Sequence, residues 1–245
     1  MNDANLLLSG AGGAVQDIDG ALAAGMLSTD WIDLQANSSL NDGHPLFAKV
    51  HTQEEAMLSA TLNATLEVQI VTFPVLATEI AVASCTAEAT FESLTVASGT
   101  HGLQRGQALK ITDAGAGSGL STATNYFVRE VLSTTAFTLA LSPDKDAAVV
   151  TLSASTADVD YELLPTIVGS TGGLPIQAFH IDSLISFALN PSAMTDNPVT
   201  GRYVYGRFVP SHEVTTGKCL LYIGTDPGCR RIYHPRGSTM PVWAP

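Results

Sequence analysis

Leu62-Asn63-Ala64-Thr65-Leu66-Glu67-Val68-Gln69-Ile70-Val71-Thr72-Phe73 is the stretch that decides the fold class. Leu62, Ala64, Leu66, Val68 and Ile70 fall on one face, and Asn63, Thr65, Glu67 and Gln69 on the other. That is the two-residue period of a half-buried strand. Outward from it the same grammar repeats. Trp31-Ile32-Asp33-Leu34 predicts a first strand, Asn41-Asp42-Gly43-His44-Pro45 a turn, and residues 46–51 a second strand. Downstream, six short strands are predicted at 90–97, 107–112, 125–132, 136–141, 147–152 and 159–164, with Gly-rich or Pro-containing connections between them. Longer strands return at 178–189, 202–209 and 218–223. In the second of these, Arg202, Val204, Gly206 and Phe208 face one way and Tyr203, Tyr205, Arg207 and Val209 the other. No heptad or 3.6-residue period is sustained anywhere, so the chain reads as all-β.

The ends read differently from the middle. Residues 1–28 form an arm rich in Ala, Gly and Leu, in which Gly10, Gly12, Gly13, Gly20 and Gly25 disfavour a stable helix. Only 18–27 could make a short one. An apolar arm of this kind docks on something: this domain, a sister subunit or another protein. After Gly224 the chain is again irregular, with Pro227, Pro235, Pro241 and Pro245. That tail and the strand before it hold Tyr203, Tyr205, Phe208, Tyr222, Tyr233 and Trp243 beside Arg202, Arg207, Arg230, Arg231 and Arg236. These residue types dominate interface energies. The long connection 190–201 is of the kind that carries contacts.

Charge excludes some functions. Only 14% of residues are charged, against roughly 25% in an ordinary soluble domain, so part of the surface is expected to be covered by partners. The net charge of −12 divides into −16 for 1–199 and +4 for 200–245. An acidic body argues against duplex binding, because phosphate neutralisation supplies most of that affinity. The basic end is either ordinary scatter or a surface for an acidic protein. Cys85, Cys219 and Cys229 contain no Cys-x-x-Cys pair, and buried, reduced thiols are the simplest account. Met1 to Asn5 has no basic leader, so no secretory signal is read. Residues 163–181 lack Asp, Glu, Lys and Arg, but Pro165, Gly169, Gly172, Gly173 and Pro175 forbid a membrane helix. The chain is therefore expected to be soluble.

The motifs that would carry chemistry are weak. Gly10-Ala11-Gly12-Gly13-Ala14 lacks the third glycine of a dinucleotide fingerprint, because Val15 stands there. Ala116-Gly117-Ser118-Gly119-Leu120 is not a nucleophile elbow. His44, His51, His101, His180, His212 and His234 show no metal-ligand spacing. Asp158, Asp160 and Glu162 alternate, and so would line one strand face. A solvated sheet edge is the simpler reading, and a calcium site the alternative. The sequons Asn37-Ser38-Ser39 and Asn63-Ala64-Thr65 are read as chance. No catalytic residue, metal or cofactor is expected.

Two resemblances add to this reading. Leu6-Leu7-Leu8-Ser9, Trp31-Ile32-Asp33-Leu34, the turn Asn41 to Leu46, Gly201-Arg202-Tyr203-Val204-Tyr205-Gly206-Arg207-Phe208 and 217–223 resemble, in order, the arm, early strands and closing strands of a jelly-roll capsid cement, or decoration, protein family of short-tailed phages. Here the arm is longer and more Gly-rich, and a tail follows the last strand. The middle resembles a small β module common in phage head and tail proteins. It is carried by His101-Gly102-Leu103, Gly106-Gln107, Gly115 to Leu120, Tyr126-Phe127-Val128 and Ala136-Phe137-Thr138-Leu139-Ala140-Leu141-Ser142. Gln107 and Phe127 depart from its pattern.

Together the resemblances imply a jelly-roll β-sandwich (29–84 and 165–224) with an inserted small β-sandwich or barrel (85–164), an extended N-terminal arm (1–28) and a C-terminal tail (225–245). They imply a homotrimer that binds the major capsid protein on the capsid surface of a virion assembled in the host cytoplasm, with no nucleic acid or membrane partner. The interface residues so expected are Leu6, Leu7, Leu8, Arg230, Arg231, Tyr233, Arg236 and Trp243. A receptor- or glycan-binding head or tail appendage is the alternative. A main shell protein fits less well, since no long spine helix is visible.

Overall fold

The computed structural model describes residues 8, 15–22, 25–34, 45–59, 63–74, 76, 83–97, 99–190 and 201–224. Contacts divide the chain into two compact units, with the divisions after Thr72 and after Thr166.

The first unit is a double-sheet sandwich. One sheet runs β1 (Gln16–Asp17), β16 (Val214–Gly224), β4 (Phe47–Leu58), β14 (Leu184–Ala188). The other runs β12 (Thr166–Ser170), β5 (Thr65–Phe73), β15 (Tyr203–Pro210), β2 (Met26–Leu27). Beside it, β3 (Ile32–Asp33) also pairs with β15, and β13 (Leu174–Pro175) with β5. A one-turn 3-10 helix, Ile176–Phe179, buries Ile176 and Phe179. Counting β2 with β3, and β12 with β13, gives eight segments. In chain order the two sheets then read 1-8-3-6 and 2-7-4-5. That is the jelly-roll order, two Greek keys folded over one core. The core follows from alternation. Leu66, Val68 and Ile70 of β5 meet Val204 and Phe208 of β15, Ala48 and Val50 of β4, and Cys219, Leu221 and Ile223 of β16.

The arm is where expectation and structure part. Its described residues form no helix at 18–27; Gly20 and Gly25 take left-handed conformations, and β2 occupies 26–27. Nor do they hang free of the body. Leu8 is fully buried and its N–H donates to the Leu221 carbonyl at 2.8 Å; Ile18 is fully buried and donates to Gly217 at 3.0 Å. Ser28 donates its N–H to the Gly206 carbonyl (2.8 Å) and accepts the Gly206 N–H on Oγ (2.9 Å). The arm thus supplies the first strand of one sheet and the second of the other. The cause is steric as well as apolar. A Cβ at Gly217 would sit 3.0 Å from Ile18 and 3.2 Å from the Ala56 backbone, and one at Gly206 would overlap Leu221.

The second unit is a closed barrel in the order β10-β7-β6-β11-β8-β9. Its strands are β6 (Ala83–Glu88), β7 (Ser93–Val96), β8 (Ala108–Asp113), β9 (Asn125–Val131), β10 (Ala136–Ala140) and β11 (Thr156–Leu163). Leu94, Leu109, Ile111, Val128, Phe137, Val159 and Tyr161 fill it. Phe137 is fully buried, with His101 edge-on at 5.2 Å and Tyr161 at 5.5 Å.

Two strand expectations change here. Residues 147–152 are not a strand: β9 covers one side of β10 and β7 covers the other over Ala136–Thr138, so only Leu139 and Ala140 are left to pair, through the Ala140 to Val149 bridge and the Val150 N–H donating to the Leu139 carbonyl at 2.8 Å. Conversely β6, spelled Ala-Ser-Cys-Thr-Ala-Glu, lacks the bulky alternation that announces a strand, yet it pairs on both sides.

Candidate functional surface

The chemistry-bearing residues resolve into structural roles. His101 accepts the Leu103 N–H on Nδ1 (2.9 Å) and places Nε2 2.9 Å from the Ser133 carbonyl. Both ring nitrogens are thereby engaged, the second as the donor. The residue ties two turns to the barrel, as its place in the module's turn implied. Ser118 is buried among three left-handed glycines, Gly115, Gly117 and Gly119. Its hydroxyl donates to the Ala114 carbonyl and accepts the Leu120 N–H. It pins a turn. Gly10 and Gly12 to Ala14 lie outside the described residues.

The carboxylate row is corrected. Asp158 has φ +67° and sits in an irregular step of β11 between Thr156 and Val159, and a second shift follows Asp160. The three carboxylates therefore do not form an even row. Nor is β11 a sheet edge, because it lies between β6 and β8 in a closed barrel. Among the described residues no group of three His, Cys, Asp or Glu side chains is placed to hold a metal ion. His51 of β4 lies 3.8 Å from Asp182 and 2.6 Å, through Nδ1, from the Gln53 amide. His212 meets Ser211 at 3.0 Å, and His180 is exposed. Asn63 is exposed in a left-handed turn just before β5, rather than within the strand as expected.

Cys85 and Cys219 are buried thiols outside any disulfide, one in each unit. Burial, then the nearby Asp160 carboxylate, pushes the Cys85 thiol up to about 12. Burial pushes Cys219 to about 12, against a smaller opposing hydrogen bond with Thr52. Neither is a ready nucleophile at neutral pH.

Of the eight expected interface residues, Leu6, Leu7, Arg230, Arg231, Tyr233, Arg236 and Trp243 lie outside the described residues. Leu8 is described, and its side chain is enclosed by the jelly-roll's own core. It has no surface left to offer a neighbouring subunit.

Surface that is apolar and open is found elsewhere. On the barrel, Phe91 is 70% exposed, Leu141 65% and Leu132 50%. A groove of about 590 Å³ runs along Leu141, Ser142, Asp144, Asp146, Val149 and Val150. On the outer face of the jelly-roll's second sheet, the half-exposed Trp31 ring lies 6.2 Å from the buried Tyr205 ring. The first sheet offers no such opening at Lys49, which is fully buried with its ammonium 5.8 Å from the centre of the Tyr222 ring. Ile167, Ile181 and Leu184 stand exposed on a third part of the jelly-roll, its side wall. Sequence reading missed this wall. The available signal was the absence of charge over 163–181, which was weighed only as a membrane question. Comparison with known proteins finds no matching family model, no similar curated protein and no similar solved structure.

Proposed function

We propose that this chain is a phage virion structural protein, a capsid cement or decoration subunit that works by adhesion and not by catalysis. The observation that carries the reading is the strand order. The two sheets read 1-8-3-6 and 2-7-4-5, and a self-contained barrel fills the connection between the fourth and fifth segments. This is the architecture implied independently by the two sequence resemblances. Fold alone does not assign function. Here it joins a charge-poor composition and motif likenesses carried by both units.

In this reading the partners are the major capsid protein and further copies of the chain, as a homotrimer on the outer capsid surface. Each contact can be weak. Tethering several contact points in one oligomer raises the effective concentration of the rest, a gain on the order of 10²–10⁴ in avidity. Because Leu8 and the described residues of 15–27 are part of the sandwich, the reading places adhesion on the exposed wall and on the residues after Gly224.

The test is immunogold labelling of phage particles with antibody raised to the purified full chain, combined with quantitative mass spectrometry of the same particles. Label spread over the shell, at a copy number commensurate with icosahedral symmetry, supports the reading. Protein found only in the soluble fraction overturns it. A second reading, a receptor- or glycan-binding appendage, is favoured by one observation: the barrel groove, where Asp144 and Asp146 rim an apolar floor. Label confined to tails or fibres, with glycan-array binding by the full chain, decides for it.

A further inference from the structure

We infer that the side wall of the jelly-roll formed by β12, β13, the 3-10 helix and β14 is the surface through which copies of this chain associate with one another. The inference rests on the reading of the chain as an assembling subunit and names the surface that does it.

Three observations meet at this wall. The first is topological. β12 ends one sheet and β14 ends the other, and each pairs on one side only among the described strands. The two ends lie together. The Asn190 N–H donates to the Val168 carbonyl at 3.0 Å, and a Cβ at Gly169 would stand 2.8 Å from the Ala188 carbonyl oxygen. One side of the sandwich therefore carries two neighbouring end strands, joined at the Val168–Asn190 hydrogen bond and with no further strand beside them among the described residues, and such end strands are templates for another chain.

The second observation is chemical. Over residues 164–190 the only ionisable acid or base apart from His180 is Asp182. Proteins usually blunt exposed edges with charge, and this one does not. Ile167 is 52% exposed, Ile181 58% and Leu184 45%. The opposite edge of the first sheet shows the usual device, since Asp17 lies in β1 with Asp19 just after it.

The third observation selects the occupant. In a closed symmetric oligomer a wall turned towards the axis brings the groups nearest that axis against their own copies, so charge there meets its like. Apposed like charges cost several kcal/mol. In a chain of net charge −12, a wall nearly free of charge is what self-association requires. A different protein would be under no such constraint and would profit from complementary charge. Size agrees as well: 27 residues span 164–190, within the roughly 20–30 per side of a standard interface.

The experiment uses the full chain in sedimentation velocity and multi-angle light scattering over a concentration series. The variants are Ile181→Lys and Leu184→Lys, with Phe91→Lys on the barrel as the control. All three side chains are exposed, so circular dichroism and melting curves should match the parent. The parent is expected to be oligomeric. Each wall variant should weaken association at least about tenfold, through burial of an unpaired and like-charged group, and the control should leave it unchanged. A monomeric parent overturns the inference, as does a parent whose oligomer survives both wall variants. Neither result touches the particle-labelling test, so loss of this surface and loss of the shell reading are separable.

Discussion

The jelly-roll and the barrel use the same kind of strand but close in opposite ways. The barrel is assembled from one uninterrupted run, 83–163, and every strand has a partner on both sides. The jelly-roll is closed by the ends of the chain. Gln16 pairs with Cys219, Met26 with Phe208 and Ile32 with Val204, and Leu8 reaches Leu221. The first arrangement spends its edges internally and is complete in itself. The second depends on distant segments meeting, and among the described residues it leaves two end strands, β12 and β14, on one wall. Local closure makes a self-contained module, whereas long-range closure makes a unit sensitive to its ends, for which loop-closure entropy must be overcome first.

Truncation tests this contrast most severely. Removing 1–28 takes away Leu8, Ile18 and Ala21 together with β1 and β2. Each of the two larger side chains alone contributes about 1.5–3 kcal/mol by burial. The jelly-roll should lose cooperative unfolding, while a chain of residues 83–164 alone keeps a folded, dispersed NMR spectrum. A truncated jelly-roll that melts like the parent, or an unfolded isolated barrel, breaks the comparison.

Core deletions come next. Phe137→Ala should cost the barrel about 3–5 kcal/mol, since Phe137 is fully buried between His101 and Tyr161. The loss, read by urea unfolding, should be the same in the isolated barrel as in the full chain. Phe208→Ala should cost the jelly-roll a similar amount.

Glycine substitutions sharpen the picture at about 1–3 kcal/mol each. At Gly169 an added Cβ meets the Ala188 carbonyl oxygen at 2.8 Å and Leu189 Cδ2 at 2.7 Å, so Gly169→Ala should loosen the seam between the two sheet edges. At Gly119, with φ +80°, it meets Ser153 Oγ at 2.5 Å, so Gly119→Ala should strain the barrel's turn. Thermal melts should fall in both, and hydrogen exchange should place the first loss in the jelly-roll and the second in the barrel.

The last effect is absent at neutral pH and appears only in alkali. Unfolded, the Cys85 and Cys219 thiols ionise near 9.0; folded, they hold their protons to about 12. Between these values the folded state binds more protons, so stability is intact below pH 9 and falls as pH rises towards 12. Urea midpoints measured across that range should decline, less so for Cys85→Ala in the barrel and Cys219→Ala in the jelly-roll.

Strand positions with bulky alternation were legible. Leu66, Val68 and Ile70 point inward as their spacing requires, and so do Val204 and Phe208. β6 was not legible, because small residues carry no period that distinguishes a strand from a loop. The strand expected at 147–152 failed for the converse reason: its apolar residues are real, and Leu152 is buried, but β7 and β9 left only Leu139 and Ala140 of β10 for it to join. At the candidate surface, lack of charge was visible in the sequence, but not that this segment forms two neighbouring edges.

The sequence by itself therefore determined the class of structure, all-β, while the jelly-roll body and inserted module were what its resemblances implied. Side-chain period and turn chemistry act within a few residues and need no partner to be read. Only the tertiary structure decided that the arm's described residues, Leu8 among them, belong to the sandwich, that the carboxylates of β11 sit in a closed barrel, and that β12 and β14 lie side by side. Those outcomes depend on which edges remain after every other strand has paired, a competition between segments as far apart as Leu8 and Leu221 that no local pattern records.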